Sequence, residues 1–152
     1  ANLERLGRAT PIALADAEQP PWAPEFDRVV FDAPCSGTGT LRRHPELKWR
    51  FRETELARLA ASATRQLVAV AAAVAPGGLL VHVTCSIEPE ENENVARDFL
   101  AARSEFAAEP LDGERVPGGA AAIAGPGRWR VLPEAGHDGF SVAVFRRTRA
   151  PN

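Results

Sequence analysis

Apolar residues at Leu56, Leu59, Ala60, Ala63, Leu67, Val70 and Val74 recur in steps of three and four, the spacing that lines one face of a helix. The pattern predicts a helix from Glu53 to Ala75, stopped by Pro76-Gly77-Gly78, since proline breaks the hydrogen-bond ladder and glycine accepts a left-handed cap. Other apolar runs are too short for a helix and predict strands: Ile12 to Ala15, Arg28-Val29-Val30-Phe31, Leu79-Leu80-Val81-His82-Val83, Trp129 to Leu132, and Phe140 to Phe145. The last of these alternates poorly, as expected of a strand covered on both sides. A second helix is expected after Ser86, with Pro89 in its first turn, Glu90 and Glu91 at the positive end of its dipole, and Val95, Phe99 and Leu100 on its inner face. Residues 110–127 are rich in Gly, Ala and Pro without a period and read as an irregular loop.

Strand, helix, strand, helix in succession implies an α/β layered domain with parallel strands. Ligands in such sheets gather outside the carboxyl ends of the strands. Asp16, Asp32 with Cys35, and Cys85 with Ser86 all fall at predicted strand ends, so two carboxylates and two thiols are expected on one rim.

Composition narrows the class further. The chain has 152 residues, 45% hydrophobic and 25% charged, which is ordinary globular usage and enough for one domain. No apolar run reaches the ~18 residues of a membrane span. A formal net charge of −2 gives no global footprint for nucleic acid, so any such binding needs a local basic patch. Two cysteines are too few for a disulfide scaffold or a four-cysteine zinc site, which fits a reducing, cytoplasmic setting. The chain starts at Ala1 and contains no Met, as expected of a piece of a longer protein.

A thiolate is the most nucleophilic ordinary side chain, and Cys85 stands just before the second helix, whose free N–H groups favour the anion. A strand-end cysteine is otherwise a small buried hydrophobe. A second cysteine in the matching place on another strand weighs against that plainer reading. Spacing removes several alternatives: a Cys-x5-Arg phosphatase loop from Cys35 would need Arg at Leu41, Gly37-Thr38-Gly39 lacks the continuation of a P-loop, and no Cys-x-x-Cys is present. His82 reads as a satisfied core residue, His137 as a turn residue, and no metal site is expected.

The segments Asp32-Ala33-Pro34-Cys35-Ser36-Gly37-Thr38-Gly39, Arg42-Arg43-His44-Pro45-Glu46-Leu47-Lys48-Trp49, Thr84-Cys85-Ser86-Ile87-Glu88-Pro89-Glu90-Glu91-Asn92 and Asp138-Gly139-Phe140 closely resemble the Sun/RsmB-type RNA cytosine-5 methyltransferases, nearest the bacterial branch acting on small-subunit ribosomal RNA. The resemblance runs from Asn2 to Arg147. It implies a Rossmann-like class I methyltransferase sheet using S-adenosylmethionine. It further implies that Cys85 attacks C6 of a target cytosine and that Cys35 assists breakdown of the adduct. By the same resemblance Asp32 contacts the methionine end of the cofactor and the pyrimidine edge, and Asp16 contacts the adenosine portion. The basic residues Arg42, Arg43, His44 and Lys48 are read as RNA contacts beside the Cys35 loop, with a solvated surface as the plainer alternative.

The family's first two strands and Gly-rich cofactor loop have no counterpart in these 152 residues. The sheet is therefore expected to be incomplete, residues 1–152 being the C-terminal portion of a catalytic domain whose N-terminal part is a required partner. Alone, the chain is expected to be inactive, with an exposed edge on the Asp32 strand. The competing reading is a non-catalytic RNA-binding or interaction remnant, in which the two thiols need not share a site.

Overall fold

The computed structural model describes residues 5–7, 11–23 and 26–148. Six strands form one mixed sheet: β1 (Phe26–Asp32), β2 (Val74–Thr84), β3 (Phe106–Ala108), β4 (Ile123–Gly125), β5 (Arg128–Val131) and β6 (Phe140–Arg147). The order is β1-β2-β6-β5-β4, with β3 pairing to β6 as well. β1 and β2 run parallel, while β6 is antiparallel to β2, β3 and β5. Helices α1 (Leu47–Arg50), α2 (Glu53–Val70) and α3 (Glu93–Ala102) accompany the sheet. None of the described helices is long and apolar enough to cross a membrane.

The parallel pair follows from the crossover. α2 carries the chain from the end of β1 back to the start of β2, and its inner residues Leu56, Ala63, Leu67 and Val70 are buried. Val95, Ala96 and Phe99 of α3 join them over one face of the sheet, where Phe31, Leu80, Ala143 and Phe145 complete the core. Three phenylalanines make its aromatic centre: Phe99 lies 5.2 Å from Phe106 and 4.7 Å from Phe145 between ring centroids. β6 alternates buried with half-buried residues, so both of its faces are covered to some degree.

Several expectations are corrected. Ile12 to Ala15 is not a strand: the residues from Pro11 to Asp16 are irregular, with Ile12 81% and Leu14 104% exposed. A strand needs a ladder partner, and among the described residues none pairs with this run. The first helix ends at Val70, and a short 3-10 turn at Ala71–Ala73 leads into β2 at Val74. Pro76-Gly77-Gly78 therefore sits within β2, where the register shifts from Phe26 opposite Val74 to Arg28 opposite Leu79. Gly77 takes a φ of 82° in this irregularity. Val74 is fully buried and β-branched, and its pairing to Phe26 outweighs the helical spacing that had assigned it to α2. Within 110–127, Gly119–Ala122 form a 3-10 turn and Ile123–Gly125 pair with β5.

β1 lies at the edge of the sheet, with Phe26 41% and Val30 67% exposed.

His82 is 1% exposed and stacks on Phe31 with ring centroids 6.0 Å apart, but among the described residues its Nε2 has no hydrogen-bond partner, so it is a core residue only partly satisfied. Burial pushes its pKa down from 6.5 to about 4. The unfolded chain takes up this proton below pH 6.5 and the folded chain does not. Stability from this residue is complete above 6.5 and is lost as pH falls toward 4, by roughly 3 kcal/mol in all. Denaturant midpoints measured across pH 7 to 4 should fall more steeply for the wild type than for His82→Phe; equal slopes would show that His82 is not held neutral.

Candidate active site

β1 and β2 end side by side, Asp32 opposite Val83, and the Ala33 N–H extends the ladder to the Val83 carbonyl at 2.9 Å. Beyond the strand ends the 33–40 loop folds over the residues that follow β2. The Gly39 N–H donates to the Cys85 carbonyl at 2.9 Å, and the Gly139 N–H donates to the Gly39 carbonyl at 2.8 Å. Three chain segments thereby meet at one backbone crossing. A Cβ on Gly39 would lie 2.4 Å from the Gly139 carbonyl oxygen and 2.8 Å from that of Cys85, so only glycine fits.

This crossing sets the two cysteine sulfurs 3.4 Å apart, both half-buried. Cys85 is brought down from 9.0 to about 7, first by the S–H of Cys35, which donates to its thiolate, against burial and the negative charges of Asp32 and Glu91. Cys35 is pushed up, first by its hydrogen bond to Cys85 and then by burial. The pair therefore favours the proton on Cys35 and the negative charge on Cys85. The helix terminus invoked from sequence is not the main cause: a 3-10 turn at Pro89–Glu91 intervenes, and α3 begins only at Glu93.

A polar network ties the two loops together. Glu91, 1% exposed, accepts the Ser36 N–H at 2.8 Å and the Ser36 hydroxyl at 2.7 Å. Ser36 Oγ lies 3.3 Å from Ser86 Oγ, which also takes the Glu88 N–H at 3.1 Å. Thr38 Oγ1 accepts the Ile87 N–H at 3.2 Å. On the other side the Thr84 hydroxyl donates to Asn92 Oδ1 at 2.7 Å, and Asn92 Nδ2 donates to the carbonyls of Ser86 and Glu88. The sequence reading missed Ser36, Thr38, Ser86, Glu91 and Asn92 as a unit. The available signal was a run of small polar residues on both cysteine loops, too apolar in its surroundings for all of them to face water.

The remaining candidates divide. Asp32 is exposed at the end of β1 and close enough to bear on Cys85. Asp16 stands apart from the thiols, in a turn where its Oδ1 accepts the Glu18 N–H at 2.9 Å. It lines a hollow of about 370 Å³ with Ala13, Trp22, Phe26, Val29 and Val30 along the open edge of β1. The expectation that three strands present one rim is therefore corrected to two, because the Asp16 segment joins no ladder. In the basic segment, Arg43 hydrogen-bonds the buried Asp138 carboxylate and Arg42 lies 3.5 Å from it, so both anchor the turn that carries Gly139. His44 meets Glu46 at 3.3 Å, and Lys48 and Trp49 are exposed on α1. A second hollow of about 280 Å³ opens beside Cys35 and Ser36, walled by Leu47, Arg50, Phe51 and Leu56.

A family model described as "16S rRNA methyltransferase RsmB/F" matches residues 1–146. The chain belongs to this family. Among RsmB/F relatives, ribosomal RNA small subunit methyltransferase B of Salmonella paratyphi B is 42% identical in a 127-residue alignment that covers 78% of this chain and 30% of that protein. The Salmonella typhi protein of the same name matches to the same extent. The chain thus spans about 30% of the length of these curated relatives. Of the solved structures, "Crystal Structure of PH0851" superposes with a TM-score of 0.79 at 34% identity, covering 95% of this chain and 33% of that one. The NSun6 structure from Pyrococcus horikoshii with SFG gives 0.73 at 25% identity, covering 98% and 38%. The mixed α/β fold of this RsmB/F chain is that of these solved neighbours and of a Pyrococcus horikoshii methyltransferase homolog, TM-score 0.71 at 25% identity, which covers 96% of this chain and 48% of that one.

Proposed function

We propose that this chain carries the nucleophile-bearing part of an RNA cytosine-C5 methyltransferase, acting on ribosomal RNA in the cytoplasm with S-adenosylmethionine as methyl donor. The observation that carries the reading is the thiol pair: sulfurs 3.4 Å apart, one lowered to about 7 and the other kept protonated. A cytosine is inert at C5 until a nucleophile adds at C6, and an anion poised near neutral pH is what that addition requires. The Cys85 thiolate forms the S–C6 bond and the ring electrons move toward C5, which then takes the methyl group. Asp32, at the strand end beside Cys85, accepts a hydrogen bond from the exocyclic amine of the cytosine and so orients the ring over the thiolate.

Breakdown of the adduct follows from the same pair. Once Cys85 sulfur is bonded to carbon it no longer carries the charge that kept Cys35 protonated. Cys35 then gives its own proton to solvent and, as the thiolate, takes the C5 proton as the C5–H electrons re-form the ring double bond and the S–C6 bond breaks, returning the Cys85 thiolate.

The residues present fit the cofactor in part of its length. Asp16 has a second carboxylate oxygen to accept a hydroxyl or amine of an adenosine, beside the apolar walls of Trp22 and Phe26. Asp32 would meet the methionine end. When bound, the cofactor supplies the methyl group. SFG, an analogue of that cofactor, accompanies the NSun6 neighbour. The chain spans about 30% of the length of its relatives, and in this reading it works as the C-terminal portion of a catalytic domain and is inactive without an N-terminal part. Arg42, Arg43, His44 and Lys48 would meet RNA phosphates, the two arginines by sharing their charge between Asp138 and the backbone.

The test is accumulation of the covalent intermediate. In the full-length enzyme, Cys35→Ala should trap ordinary RNA as an adduct that survives denaturing electrophoresis, while the wild type releases it. Release by the variant at the wild-type rate would remove Cys35 from the reaction.

A further inference from the structure

We propose that Glu91 is a positioning residue for methyl transfer, holding Cys35 against Cys85 through its two hydrogen bonds to Ser36. The proposal rests on the reading of Cys85 as nucleophile, and the experiment below separates the two.

Glu91 is a carboxylate at 1% exposure, and among the described residues no arginine or lysine pairs with it. A buried carboxylate without a cation is costly unless strong donors satisfy it. Its donors are the main-chain N–H and hydroxyl of a single residue, Ser36, the neighbour of Cys35. Two bonds from one carboxylate to one residue fix that residue's orientation as well as its distance. The chain leading to Glu91 comes straight from Cys85 through Ser86, whose hydroxyl also lies 3.3 Å from that of Ser36. Glu91 therefore joins the two cysteine loops at the residues next to the sulfurs.

Its charge acts against the nucleophile, because a carboxylate near Cys85 disfavours the thiolate. Opposite signs for the two roles make the proposal testable. If Glu91 were only a neighbouring charge, Glu91→Gln would remove an unfavourable term and lower the Cys85 pKa. If Glu91 holds Cys35 in place, the same change loosens the S–H donor that is the leading stabiliser of the Cys85 anion, and the pKa rises.

The experiment is the pH profile of iodoacetamide alkylation at Cys85 in the full-length enzyme, followed by peptide mass spectrometry. Expected is an upward move of about one unit in Glu91→Gln, read as about fivefold slower alkylation at neutral pH. The rise should be absent when Glu91→Gln is made in a Cys35→Ala background, where no donor remains to be misplaced. Ser36→Ala, which removes one of the two bonds, should shift the profile in the same direction by less, and decides the matter should Glu91→Gln fail to fold. A fall or no change in the pKa of Glu91→Gln, or an equal rise in the Cys35→Ala background, overturns the proposal. Alkylation needs no RNA, so a profile behaving as expected in an enzyme that makes no RNA adduct would sink the proposed reaction and leave the positioning role standing.

Discussion

Cys85→Ser in the full-length enzyme eliminates both methyl incorporation and the covalent adduct with RNA containing 5-fluorocytosine. A serine hydroxyl titrates far above neutrality, and neither the Cys35 S–H nor the backbone can supply an anion in its place. Loss of a catalytic nucleophile lowers turnover by a factor on the order of 10⁴ or more. The fold should be intact, since Cys85 is only half-buried, the bond from the Gly39 N–H to its main-chain carbonyl is kept, and a serine hydroxyl is smaller than the sulfur it replaces beside Cys35. Radiolabelled methyl transfer and a denaturing-gel shift read the two effects. Retained adduct in this variant would pass the nucleophile role to Cys35 and reverse the division drawn from the thiol pair.

The second large effect is on stability. Gly39→Ala introduces a methyl group 2.4 Å from one main-chain oxygen and 2.8 Å from another, with no flexible side chain able to give way. The Gly139 and Cys85 segments must separate, which breaks the two backbone bonds that close the site. A cost of about 3 kcal/mol is expected, the upper end for overpacking. Gly136→Ala is the control, because a Cβ there meets nothing within 4 Å. Urea midpoints should fall clearly for Gly39→Ala and stay level for Gly136→Ala. Equal midpoints would mean that the crossing is looser than its distances indicate.

Much of this architecture can be read from residue order. The α2 and α3 faces, the two cysteine strands and the closing β5 and β6 follow local patterns of period and branching. The failures have physical causes. Ile12 to Ala15 has the composition of a strand, yet composition cannot supply a partner. Val74 continues the helical spacing of α2 and is claimed instead by Phe26 of β1, 48 positions earlier in the chain. β3 and β4, each three residues long, are made by their neighbours in the sheet and carry no signal of their own. At the site, the cysteines and Asp32 announced themselves by residue type. Glu91 did not, because a glutamate after proline at a helix start is ordinarily a solvated dipole partner, and only the fold turns it inward to Ser36.

Among the described residues β6 is the last strand in sequence, yet it occupies the middle of the sheet, between β2 and β5. During synthesis β2 must therefore wait with one side bare until residues 140–147 have left the ribosome, and the glycine clasp at 139 cannot close any sooner. A message cut short before codon 140 would yield a polypeptide retaining both sulfurs and lacking the strand that locks them in register.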